Sequence, residues 1–187
     1  NFSKYGKVIR SHDKHKNFIF VESDCAKSSF LEDMAKFDFD YIIAGAAMIG
    51  GISYFHKFAY DLLSTNEKII SNTFDLALER YKKNQLQKIL VLSSSMVYEN
   101  VSNWPTKEND LESCPPPSST YGFQKLACEY FAKGAFEQHN LPYTIVRPFN
   151  CIGVGEEESI QDHEIMSGNI KLSLSHVVPD LIMKCLK

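Results

Sequence analysis

No apolar run in this 187-residue chain approaches the roughly 18 residues needed to cross a bilayer. The first residues also lack the basic-then-apolar pattern of an export signal. The five cysteines, Cys25, Cys114, Cys128, Cys151 and Cys185, are odd in number and widely scattered. No C-x-x-C pair or His/Cys cluster joins them, so neither a disulfide framework nor a metal site is expected. They read as reduced thiols of a soluble, cytoplasmic protein. An excess of basic charge is missing too: the formal net charge is −3 with both signs interspersed, which argues against nucleic acid as a partner. No internal repeat or low-complexity tract stands out, and Glu156-Glu157-Glu158 reads as a solvated loop. What is present is a globular composition, 44% hydrophobic and 12% aromatic. The chain opens at Asn1 without a methionine and closes in an apolar helical pattern from Val178 to Lys187. It is therefore expected to be a piece of a longer protein.

Four short apolar runs read as buried parallel strands: Asn17 to Val21, Tyr41 to Ala44, Lys88 to Leu92 and Tyr143 to Val146. None alternates cleanly, which suits strands covered on both faces. Between them lie helical patterns at Ser28 to Met34, Tyr60 to Tyr81 and Gly122 to His139. Strand alternating with helix predicts an α/β fold with a doubly wound parallel sheet. Pro115-Pro116-Pro117 breaks the chain, and Ser118, Ser119 and Thr120 follow as candidate helix caps. Tyr121 then falls in the first helical turn, at the carboxyl edge of the sheet, where ligands bind in such folds.

Tyr121 and Lys125 are spaced to share one helix face. A phenol titrates near pH 10, and a neighbouring ammonium favours the phenolate, so the pair can take a proton from a hydroxyl near neutral pH. With nine tyrosines in the chain such a spacing arises readily by chance, so its neighbours must decide. Ser93-Ser94-Ser95 follows a strand and reaches the same edge, where Ser94 could orient a substrate hydroxyl. Serines in that place also commonly satisfy the turn itself. Asn150 ends Arg147-Pro148-Phe149-Asn150 after the next strand, either as a turn residue or as a ligand contact.

Taken in order, these pieces resemble the extended short-chain dehydrogenase/reductase superfamily, and within it the NAD-dependent nucleotide-sugar epimerases and dehydratases. Phe20-Val21-Glu22-Ser23-Asp24 resembles the third strand and its adenine-site aspartate. Asp40 to Ala47 resembles the fourth strand and its small-residue turn. The resemblance implies a catalytic set of Ser94, Tyr121 and Lys125. It implies cofactor contacts from Asp24, Cys25, Ala44, Ala46, Ala47, Tyr121, Lys125 and Pro148, and substrate contacts from Ser94, Asn150 and His176. NAD is the implied cofactor, with NADP not excluded, and a nucleotide sugar the implied substrate. A homodimer of the intact protein through the Tyr60–Tyr81 and Gly122–His139 helices is also implied. Residues 1–150 would form a partial Rossmann-like NAD-binding domain and 151–187 the start of a substrate-binding region.

The departures narrow the expectation. The family's opening G-x-x-G-x-x-G turn, which holds the pyrophosphate, has no counterpart here, so a first βαβ unit is expected to be missing and cofactor binding weak. Ser95 and Met96 stand where 4,6-dehydratases carry an acidic pair, and Met96 stands where the GDP-fucose synthase type places a cysteine. Neither side chain here moves a proton. Hydride chemistry at one carbon remains, and the leading expectation is a 4-epimerase. Ser175-His176-Val177-Val178-Pro179 and Gly50-Gly51 resemble the GDP-fucose synthase branch instead, which implies a reductase/epimerase acting on a keto-deoxy sugar. A histidine ahead of a helix is also commonly a cap or packing residue; His56, His139 and His163 show no partner pattern. A third reading, from another class, is an inactive module occupying a sheet edge or a dimer interface.

Overall fold

The computed structural model describes residues 11–49 and 57–151, strands at 165–167 and 170–172, and residue 185. The chain divides into two compact units, one of residues 1–22, 50–56 and 150–187, the other of residues 23–49 and 57–149. His56, His163, His176, Gly50-Gly51, the acidic run 156–158 and the closing helical pattern (Cys185 apart) lie outside the described residues.

The second unit holds the sheet. Strands β1 (Tyr41–Ala44), β2 (Lys88–Leu92) and β3 (Tyr143–Val146) are parallel in the order β1-β2-β3. Ala44 pairs with Val91 and Leu92 with Val146, so all three strands end at one edge. Helix α1 (Ser29–Met34) precedes β1, α2 (Ala59–Lys82) joins β1 to β2, and α3 (Thr120–His139) joins β2 to β3. The result is α/β and Rossmann-like, as the alternating pattern predicts.

Burial explains the layering. On α2 the buried positions Leu62, Asn66, Ile70, Thr73, Phe74, Ala77 and Arg80 recur at helical spacing. Of these, Ile70, Phe74 and Ala77 join one core with Ile89 and Val91, both fully buried on one side of β2. Cys128, Ala132 and Ala135 of α3 close the same core, with Leu86 and Leu141 at the strand entrances. The small side chains of α3 let Phe131 stack on Phe74, ring centres 5.8 Å apart. Asn140 ends α3 in the left-handed region at φ 58°, a conformation asparagine tolerates, and its amide donates to the Phe136 carbonyl at 2.8 Å. Arg80 reaches from α2 to the carbonyls of Met34 and Ala35 at 3.0 and 2.6 Å, fixing the end of α1.

Two expectations need correction. Residues 17–21 form no strand: Asn17 and Phe18 turn back on His15, and Phe18, Ile19 and Phe20 remain 40–68% exposed. An apolar run becomes a strand only where a neighbour accepts its backbone bonds, and no described strand pairs with it. Nor is β1 covered on both faces, since Tyr41 and Ile43 are 62% and 69% exposed. In this unit the helices line one face, against which Ile42 and Ala44 turn. The first unit holds a short 3-10 turn at Ser11–Lys14 and an antiparallel pair, β4 (Ile165–Ser167) with β5 (Ile170–Leu172).

Candidate functional site

The end of β2 runs into a 3-10 turn, Ser95–Tyr98, whose cap is Ser94. Ser94 is 8% exposed, and its hydroxyl accepts the Met96 amide at 3.2 Å, which sets its direction. The Ser95 amide donates to the Pro148 carbonyl at 3.1 Å, binding this serine turn to the segment after β3.

Helix α3 starts against the same turn. Ser119 is its cap, accepting the Gly122 amide at 3.0 Å. Glu99 takes both the Ser119 amide at 3.0 Å and its hydroxyl at 2.9 Å, while Asn100 donates to the Pro116 carbonyl at 2.6 Å. Gly122 decides how close the approach can be. A Cβ there would lie 2.7 Å from Pro117 Cβ and 2.8 Å from the Met96 carbonyl oxygen. Only a residue with no side chain lets the first turn of the helix rest on the serine turn.

That contact brings the catalytic candidates together. Tyr121 is the second residue of α3 and half-buried. Lys125, one turn on, is 8% exposed; its Nζ lies 5.9 Å from the centre of the Tyr121 ring and donates to the Leu92 carbonyl at 2.9 Å. Burial pushes the lysine pKa down, with the Cys128 thiol opposing weakly. The lysine is thus tied to the last residue of β2, two positions before Ser94.

The other candidate cofactor residues fall at three further places in this unit. Ala44, Ala46 and Ala47 line the turn after β1, with Ala46 exposed. Asn66 of α2 holds that turn by two bonds to one residue, accepting the Met48 amide at 2.6 Å and donating to its carbonyl at 3.0 Å. Asp24 is exposed and accepts the Ala26 amide at 3.0 Å. Cys25 is half-buried, its thiol pKa raised by burial and then by Asp24, and its carbonyl accepts from Asn72 of α2 at 2.9 Å. Pro148 is half-buried, Asn150 is exposed and belongs to the other unit, and His176 lies outside the described residues. The side chains at 44–47 are small and partly exposed, a lining compatible with the close approach of a flat ligand such as a dinucleotide.

Sequence reasoning missed Asn66, Glu99, Asn100 and Glu129. Each is a polar residue inside or beside a helix whose partner is distant in sequence. Only Glu129, one turn beyond Lys125, carried a visible spacing.

The model of the NAD dependent epimerase/dehydratase family matches residues 3–186. By sequence the chain is similar to probable GDP-L-fucose synthase 1 of Oryza sativa subsp. japonica, with 29% identity over 180 residues, covering 95% of this chain and 48% of that protein. It is 27% identical over 147 residues to GDP-L-fucose synthase of Escherichia coli (strain K12), covering 78% and 41%. The chain therefore spans about half the length of the relatives it matches, or less. Among solved structures, UDP-N-acetylglucosamine 4-epimerase from Methanobrevibacter ruminantium M1 aligns with a TM-score of 0.70 at 23% identity, over 94% of this chain and 50% of that one. Among the described residues no helix is long and apolar enough to cross a membrane.

Proposed function

Since the chain belongs to the NAD-dependent epimerase/dehydratase family, within the extended short-chain dehydrogenases/reductases, we propose that the full-length protein transfers hydride at C4 of a nucleotide sugar. The observation that carries this reading is the Lys125 ammonium bonded to the end of β2, with Tyr121 one helical turn away and Ser94 at the head of the adjoining turn.

Tyr121 moves the proton of the C4 oxygen, and Lys125 supplies positive charge beside the oxygen on which negative charge develops. Ser94, its hydroxyl already oriented by the Met96 amide, holds the C4 oxygen in line. Asp24, Cys25, Ala44, Ala46, Ala47 and Pro148, with Tyr121 and Lys125, would hold the nicotinamide dinucleotide. When bound, that group supplies or accepts the hydride.

Net reduction of a 4-keto sugar is the form favoured by the sequence relatives, which carry the name GDP-L-fucose synthase. Met96 cannot abstract a proton, so reduction would proceed without inversion at neighbouring carbons. Redox-neutral 4-epimerisation is the second form, favoured by the lack of any titratable side chain at Ser95 and Met96. Incubating the full-length protein with NADPH and a 4-keto-6-deoxy nucleotide sugar should consume NADPH one for one with product. Isomerisation of a 4-hydroxy nucleotide sugar without net NADPH consumption would select the second form. In either assay Tyr121→Phe should lower kcat by about 10²–10⁴-fold and leave nucleotide-sugar binding largely intact. A near-normal rate in that variant would remove the assignment.

A further inference from the structure

Behind Ser94, Tyr121 and Lys125 lies a set of polar groups for which the hydride step has no use. Glu129 stands on α3 one turn past Lys125 and two past Tyr121, and is 6% exposed. One carboxylate oxygen accepts the Ser93 hydroxyl at 2.5 Å and Arg147 Nε at 2.8 Å; the other accepts Arg147 Nη2 at 2.8 Å. Arg147 Nη1 continues to the Tyr98 hydroxyl and to the Glu108 carbonyl at 3.2 Å, and the guanidinium lies 5.1 Å from the Tyr98 ring centre.

The placement matters more than the number of bonds. Ser93 is the residue before Ser94 and the residue after Leu92, whose carbonyl holds Lys125. Tyr98 ends the serine turn, Arg147 follows the last residue of β3, and Glu129 shares its helix with Tyr121 and Lys125. One carboxylate therefore links, directly or through Arg147, every segment of the second unit that supplies a catalytic candidate. Burying a carboxylate and a guanidinium is not the simplest way to stabilise such a junction. Apolar residues of similar volume commonly do as well or better. A two-pronged arginine–carboxylate pair instead fixes angles, because both groups are planar and meet in one geometry.

We propose that Glu129 is a positioning residue for the hydride-transfer site. By holding Ser93 and the Arg147 fork it sets the Ser94 hydroxyl and the Leu92 carbonyl against Tyr121 and Lys125. The inference rests on the proposed reaction for its kinetic readout only. Its structural readout is independent of any activity.

The test uses the full-length protein with Glu129→Gln and with the charge-free pair Glu129→Leu/Arg147→Met. In Glu129→Gln, kcat should fall on the order of 10²-fold with little change in KM, the effect of a small misplacement of the catalytic groups. Hydrogen exchange at the Ser95 and Met96 amides should speed up by about tenfold, the scale of one lost charge-assisted bond, with Ile89 to Val91 unchanged. The double variant should match or exceed the unfolding temperature of Glu129→Gln while kcat stays low. Recovery of kcat with stability, a near-normal kcat in Glu129→Gln, or exchange rising equally through β2 and the serine turn would each overturn the proposal. A wild-type protein inert on all nucleotide sugars would defeat the hydride-transfer reading, and the local exchange pattern would still decide whether Glu129 holds the turn.

Discussion

Helix α3 buries mainly polar side chains in its first half, Gln124, Lys125 and Glu129 beside Gly122 and Cys128, and only Ala132 and Ala135 in its second. Both halves belong to one continuous helix, yet they do different things. The second half packs on Ile70, Phe74 and Ile89, apolar groups that gain by leaving water and ask for no particular angle. The first half meets strand ends and the serine turn through directed bonds, and not all of them are made. Among the described residues, Gln124 Oε1 is buried without a partner, as is Glu67 Oε1 on α2. Burial raises the Glu67 pKa and pushes the neighbouring Cys128 thiol up to about 11. Such groups cost stability. The difference teaches where this fold holds itself together and where it gives up stability to hold the candidate catalytic groups.

If that division is right, Lys125→Met should separate the two properties most sharply. Turnover should drop by about 10²–10⁴-fold, while the unfolding temperature near pH 7 holds or rises, because a buried ammonium is removed. The pH dependence has a definite sign. Burial lowers the folded-state lysine pKa below its ordinary 10.5. Below the lowered folded value, folded and unfolded chains both carry the proton, and the burial cost is present in full. As pH climbs through the lowered folded value toward 10.5, the folded chain sheds its proton first and the cost is relieved. Wild type should therefore gain on Lys125→Met between those two points in thermal melts. A gap that widens with pH would contradict it.

Ile89→Ala probes the other region. Fully buried beneath both helices, it should cost about 2–5 kcal/mol in denaturant unfolding, with kcat per folded molecule close to wild type. A specific loss of kcat there would blur the division. Gly122→Ala sits on the boundary and should cost less, about 1–3 kcal/mol, because the added methyl must push the helix away from Met96 and Pro117. Its signature should be a fall in kcat larger than that stability loss accounts for.

The same division marks what the sequence made legible. The sheet of the second unit was readable to the residue, at Tyr41–Ala44, Lys88–Leu92 and Tyr143–Val146. Its three helices were readable to within a residue or two, because hydrophobic periodicity reports burial directly. Residues 17–21 show the limit of that signal, since apolar content says nothing about whether a pairing neighbour exists. The β4–β5 pair carried a sequence signal that went unread: Gly-Asn at 168–169, between two short segments that alternate or lead with apolar residues, is a dipeptide that favours hairpins. In the site, the i, i+4 spacing made Tyr121 and Lys125 visible, and a strand-end serine made Ser94 a candidate. The clamp at Glu129 was not visible, because Ser93 and Arg147 lie 36 and 18 residues from it. Nor was the role of Gly122, which depends on the approach of a turn from another segment.

The grip of Asn66 on Met48 has a consequence of its own. A side-chain amide that both donates to and accepts from one backbone residue does what a neighbouring strand would do, for the length of a single residue. It recognises main chain alone and is indifferent to the side chains the loop carries. Substitution of the Met48 side chain can therefore leave the turn attached to α2. In that sense the helix fixes the path of the chain after β1 and leaves the identity of the residue it holds open.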